Sequence, residues 1–230
     1  MTSMATLYLN TSRILEAIPE AELKRVRTEY GLRRADRLTS LAAAALHQAC
    51  PDNFPHGFPA DTGLVTISSF GPHKTVFAML DDILDFPEDQ ILPTKFTHSV
   101  HNAVTSYLGT LLGLHGPAFA LTCFESPVFE LLETAWTLLS SGMCRQVLAL
   151  AVEERGLLTA EATQMCPAVF PAEPCEAVGV FLATSEPAPD AMRLTLDRTG
   201  QPQRQNGSPF GLPDATLAAF RDRQSFTLVP

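Results

Sequence analysis

The chain is short of basic residues: 16 Lys and Arg stand against 25 Asp and Glu, for a formal net charge of -9. A surface of that sign repels phosphate backbones and anionic lipid. No basic stretch carries interleaved aromatics, so nucleic acid and anionic membrane are argued against as partners. Long apolar runs are lacking too. The longest, such as Val147–Val152, fall far below the roughly 20 residues that cross a bilayer. Arg13, Glu16 and Glu20 interrupt the beginning of the chain, and no secretory leader is expected. Cysteine is sparse. Cys50, Cys123, Cys144, Cys166 and Cys175 form no CxxC pair and are odd in number, which argues against a disulfide framework or a zinc site and for a reducing, cytoplasmic setting. Among the histidines, His98 and His101 are spaced to share a metal, but no third ligand of the right type stands nearby, and neither a metal nor a cofactor is expected.

What is present is a globular composition, with 46% hydrophobic residues in 230, enough for one domain with a large core. Residues 5–10 read as a short strand and 20–30 as a helix. Residues 32–50 form an amphipathic helix with Leu38, Leu41, Ala45 and Leu46 near helical spacing. A proline-rich loop over 51–61 leads to a buried strand at 63–69, a Gly71-Pro72 turn, a helix over 74–84 and a second loop over 85–95.

The central stretch runs from Phe96 to Glu154. It opens with a helix over 100–114 carrying Val104, Leu108, Leu111 and Leu112 on one stripe, stopped by Gly116-Pro117. Ala118–Cys123 is a continuous apolar run, the pattern of a strand covered on both faces. A tight turn, Cys123-Phe124-Glu125-Ser126-Pro127, hands over to a helix at 128–141, and a second doubly buried strand covers 146–152. A strand-to-helix turn is where enzymes that attack acyl groups often mount a nucleophile, because the helix N-terminus stabilises negative charge. Beyond it, 155–173 reads as loop with a short helical possibility at 159–163. Residues 177–184 and 191–197 read as strands, 198–213 as a flexible connection and 213–223 as a short helix. Strands alternating with helices predict an α/β sandwich with a largely parallel sheet.

Asn102, Gly113-Leu114-His115-Gly116-Pro117, Gly142, and Val147-Leu148-Ala149 with Glu153 fall without a gap into one known pattern. Lys95–Glu154 resembles the nucleophile region of β-ketoacyl-acyl-carrier-protein synthases, which have the thiolase fold. Leu32–Ala44 resembles that family's early Arg- and Ala-rich helix, and Glu176–Thr184 a degraded form of its Gly-Glu-Gly-Ala strand. The resemblance covers about residues 30 to 185. It implies half of the two-repeat thiolase fold, with a mixed sheet covered by helices. It makes residues 1–230 a single synthase-like N-terminal domain, with 198–230 as a flexible C-terminal extension.

Counting from Gly116-Pro117, and equally back from Gly142, the family's nucleophilic Cys falls on Glu125, with Cys123 two residues early. The family's two catalytic histidines belong to a second half that lies beyond this sequence. The chain is therefore similar to the short synthase-like subunits called chain length factors, which accompany a true ketosynthase in type II polyketide and aryl-polyene systems. What the resemblance implies is a non-catalytic subunit without a cofactor. Its partner is a ketosynthase, through which it meets acyl carrier protein indirectly. The implied docking edge is Ala118, Phe119, Ala120, Leu121, Thr122 and Cys123, with His101 and Asn102. The implied acyl-tunnel gate is Val76, Phe77 and Leu80, with Phe124 beside it. Glu125 reads either as a charge settled at a helix N-terminus or as the acid of a malonyl decarboxylase. Cys123 reads as a buried small hydrophobe rather than a nucleophile. A self-associating scaffold is a further alternative.

Overall fold

The first strand is more than twice as long as its apolar pattern. In the computed structural model, which describes residues 4–32, 34–91, 93–168, 170 and 172–230, β1 spans Met4–Glu16. The predicted spans 32–50, 85–95 and 155–173 include Arg33, Leu92, Val169 and Pro171, which lie outside the described residues. Along β1, Ala5, Leu7 and Leu9 face one core. The register with its neighbour then shifts between Leu9 and Thr11, after which Ile14 faces that core and Leu15 the other. A one-residue bulge inverts the parity of every later side chain. That is why the alternation breaks off at Asn10.

After β1 come helices α1 (Glu20–Glu29) and α2 (Arg37–Ala49), then β2 (Gly63–Ile67). Three helices follow, α3 (His73–Asp85), α4 (Pro93–His98) and α5 (Ala103–Leu112), before β3 (Ala118–Leu121), α6 (Pro127–Ser140) and β4 (Gln146–Glu153). The chain continues with α7 (Leu157–Met165), β5 (Ala177–Thr184), β6 (Met192–Asp197), α8 (Asp214–Arg221) and β7 (Phe226–Leu228). The helix predicted from residue 32 starts at Arg37, because Asp36 caps it by accepting the Thr39 N–H at 2.6 Å.

Among the described residues, seven strands form one sheet in the order β3-β2-β4-β5-β1-β6-β7. The expectation of a largely parallel sheet is corrected. β2 is parallel to β3 and β4, and β6 to β7, but β4–β5, β5–β1 and β1–β6 are antiparallel. Strict alternation divides the strands between two cores. On β4, Leu148, Leu150 and Val152 pack under α1, α2 and α5, while Val147, Ala149 and Ala151 pack under α6 and α8. Ala42, Ala43, Ala44 and Ala45 are fully buried on α2, which brings that helix close to the sheet.

Two further expectations change. The apolar run 118–123 is not doubly covered. β3 is the sheet's edge, paired only with β2, and Phe119 is 43% exposed. Within the expected flexible extension at 198–230, the short helix read at 213–223 is α8, and the segment packs. Phe220 is buried on α8 with its ring 5.1 Å from Phe181, and β7 adds a strand beside β6. Among the described residues, no helix is long and apolar enough to cross a membrane.

Candidate functional site

The turn from β3 to α6 is built from three directions. Pro127 occupies the first turn of α6, where its missing N–H costs nothing, and Ser126 holds the cap position without a side-chain cap bond. Glu125, one residue earlier, is exposed, so its carboxylate stands in solvent beside the helix N-terminus. Cys123 is half-buried and packs its sulfur side toward the α6 core. Its carbonyl accepts the Ser69 hydroxyl at 2.7 Å, which ties the turn to the end of β2.

The third direction is the chain beyond β6. Arg204 donates to the Phe124 carbonyl at 2.7 Å and lays its guanidinium 5.4 Å from the centre of the Phe170 ring. Phe70, Phe124 and Phe170 form an aromatic triangle with centroid separations of 5.3 to 6.0 Å. The space left between these groups, Ser69, Glu153 and Phe210 is about 30 Å³. That is room for about one water molecule and not for an acyl chain.

Below the triangle stand two buried carboxylates, Glu153 at the end of β4 and Glu154 just beyond it. Glu153 accepts the Ser69 N–H and lies 3.2 Å from the Ser68 hydroxyl, and Glu154 accepts the Lys74 N–H at 2.9 Å. Burial pushes both acids up to about 7. His73, with Nδ1 3.6 Å from Glu154, is pushed down by the same desolvation.

The predicted gate residues lie on α3. Val76 and Phe77 are half-buried and Leu80 is exposed. Farther along, Ile83, Leu84 and Phe86 with Phe96 of α4 continue an apolar outer face, on which Leu84 is 82% exposed. Phe124 sits apart from them, at the aromatic triangle. On the predicted docking edge, Ala118, Phe119 and Thr122 are exposed while Ala120, Leu121 and Cys123 are half-buried. Asn102 holds the cap position of α5 without capping it. His101 lies 3.2 Å from the Thr122 hydroxyl and packs flat on Gly71. There φ is +63° and a Cβ would lie 2.7 Å from the ring, so glycine serves both the turn and the contact. His101 thus joins the β3 turn to the start of α3. His98 goes elsewhere, to the Tyr107 hydroxyl at 3.2 Å. No metal-holding group of three His, Cys, Asp or Glu occurs among the described residues.

Sequence reasoning missed Glu154, His73 and Arg204. Two glutamates closing a buried strand were a readable signal. Arg204 had none, since it lies in a segment rich in Gly, Pro, Gln and Asn.

The chain belongs to the family described as β-ketoacyl synthase, N-terminal domain, whose model matches residues 29–209. No curated protein matches the sequence. Among solved structures, a chain of the ishigamide ketosynthase/chain length factor superposes with a TM-score of 0.64 at 18% identity, covering 80% of this chain and 64% of that one. A chain of the ketosynthase ApeO in complex with its chain length factor ApeC from Xenorhabdus doucetiae gives 0.56 at 18%, covering 79% and 80%. The AntDE:AntF complex, a type II acyl-carrier protein with its ketosynthase bound to the hexaketide, gives 0.63 at 14%, covering 78% and 62%. The chain thus spans somewhat less than two thirds of two of these three. At such identities the likeness establishes the fold, that of the thiolase-like ketosynthases.

Proposed function

We propose that this chain is a non-catalytic ketosynthase-like subunit, a chain length factor. It pairs with an active β-ketoacyl synthase and shapes that partner's acyl tunnel in polyketide or aryl-polyene biosynthesis. The observation that carries the reading is the closed turn. By the register of the resemblance the nucleophile position falls on an exposed glutamate, and the narrow pocket under the turn, lined by Arg204 and the aromatic triangle, has about 30 Å³. Covalent acyl transfer needs a nucleophile with a base in hydrogen-bond reach and space for the acyl group. His101, beside the turn, is engaged with Thr122. Two of the three solved neighbours named above are complexes of a ketosynthase with a chain length factor, which supports pairing as the role.

Two surfaces suit a partner. The outer side of β3 is an unpaired strand edge, which native proteins rarely leave open. Beside it runs a groove of about 550 Å³ between α5 and β3, lined by small groups including Ser106, Gly109, Ala118 and Ala120. The apolar face of α3 and α4 is the second. Val76, Phe77 and Leu80 there are the gate of this reading. The ketosynthase partner, rather than this chain, meets acyl carrier protein, and a cytoplasmic setting follows. Nothing in the geometry favours a decarboxylase acting through Glu125 or a self-associating scaffold. Co-expression with an active ketosynthase of the same cluster tests the proposal. The two chains co-elute as one complex, and separate elution of two folded proteins contradicts it.

A further inference from the structure

Glu153 is the last residue of β4 and Glu154 lies just beyond the strand. Both hold the same short segment, Ser68–Lys74, which leads from β2 into α3. Glu153 takes the start of it, through the Ser69 N–H and the Ser68 hydroxyl, and Ser68 Oγ in turn accepts the Gly71 N–H at 2.8 Å. Glu154 takes the end of it. By accepting the Lys74 N–H it satisfies a free donor in the first turn of α3, a helix whose own cap residue, Pro72, offers no side-chain bond. Gly156, just after β4, closes the lid on His73. A Cβ there would lie 2.6 Å from His73 Nε2.

The two acids are 4% and 1% exposed, and the basic nitrogen within 4 Å of Glu154, His73 Nδ1 at 3.6 Å, is itself kept from charging by burial. Every group that bonds Glu153 is neutral, and the nearest charged or titratable groups lining its cavity are Arg204, already bonded to the Phe124 carbonyl, and Cys175. Glu154 faces His73 and Lys74 from α3, and Asp36 and Arg37 from α2. Asp36 disfavours its charge, Arg37 is committed in a bidentate pair to Glu176, and Lys74 is exposed. Glu154 Oε2 and His73 Nε2, both deeply buried, have no partner at all. Buried carboxyls so placed are retained in the uncharged form, and ionising them favours exposure to water.

We propose that Glu153 and Glu154 are positioning residues, a two-carboxyl latch that holds the 68–74 segment and the first turn of α3 against the end of β4 and loosens as pH rises through neutrality. The sign follows from linkage. Each acid titrates near 7 in the closed state and near 4.5 once hydrated. The closed state therefore binds more protons between those values. The contribution of the two acids to closure is full below about 4.5 and is lost as the pH climbs through about 7. The latch is a property of this chain alone. Where the partner reading also holds, it sets how firmly the gate helix is seated, and failure of either leaves the other standing.

Hydrogen exchange of the full-length protein, read by mass spectrometry on a peptide covering residues 68–80 and corrected for intrinsic exchange chemistry, tests it. Opening is expected to rise about tenfold per carboxylate between about pH 6 and pH 8, while a core peptide over 147–152 stays protected. Glu154→Gln retains an acceptor for Lys74 and removes about tenfold of the rise, and the Glu153→Gln/Glu154→Gln pair flattens it. Carbon-detected NMR titration of the unmodified protein provides a reading that no variant can confound. Two glutamate carboxyls titrating near 7 support the latch. Pair titration near 4.5, or a pH-independent 68–80 peptide in the unmodified protein, overturns it.

Discussion

Arg204 is the residue that gives the turn its character. It links a loop far along the sequence to the Phe124 carbonyl and stacks on Phe170. A net hydrogen bond and an exposed cation–π contact each contribute about 0.5–1 kcal/mol. Arg204→Ala should therefore lower stability by about 1–2 kcal/mol in urea unfolding. It should also speed alkylation of Cys175, whose thiol bonds the Gly207 carbonyl under the same loop, relative to exposed Cys166. An unchanged Cys175 rate would show that the loop does not seal the turn. The register from Gly116-Pro117 and from Gly142, carried by the resemblance, places Glu125 at the family's nucleophile position in the proposed reading. The closure of the cavity was not legible in the sequence, because Arg204 is separated from Phe124 by a long stretch of sequence and no local pattern links them.

At the scale of elements, β3 and α3 carry the functional argument. β3 reads as a buried strand because its residues are apolar, but burial is a property of neighbours, and β3 has a neighbour on one side only. The free side predicts a clean separation of effects. Phe119→Asp changes the stability of the isolated chain by less than about 0.5 kcal/mol, as is usual for exposed sites, and abolishes co-elution with a ketosynthase. Loss of folding, or retained pairing, would each contradict the docking assignment. On α3, Leu80→Trp adds bulk to an exposed position without disturbing the core. It should shift the longest product of the assembled synthase toward shorter chains by mass spectrometry, and an unaltered product distribution removes Leu80 from the gate. The elements that sequence reading shortened or displaced have equally local causes. A bulge at Asn10 hides the second half of β1, and the side chain of Asp36 starts α2 late.

For the molecule as a whole, most of the fold was legible. Alternation of strands and helices, the buried runs at 63–69 and 146–152, and the Gly-Leu-His-Gly-Pro turn specify an α/β layer structure of this family. The mixed sheet came from the resemblance alone. Strand direction was not legible in the apolar pattern, because β4, β5 and β1 are all apolar enough to be buried whichever way they run. Nor was the docking of residues 214–228, where a polar stretch precedes Phe220 and Leu228. The two halves of the site differ in the same way. The turn was written in local sequence, while the seal over it and the carboxyl latch beneath it arise from contacts between distant segments. The account makes this chain a closed, acyl-free subunit whose contribution is shape. An elongation assay measures that most directly: a purified ketosynthase and malonyl-loaded carrier protein, with and without this chain, followed by intact mass analysis of every protein. The account predicts elongation only when this chain is present, with acyl groups on the ketosynthase and carrier protein and none on this chain. Elongation by the ketosynthase alone, or an acyl group trapped at Cys123 or Glu125, would contradict it.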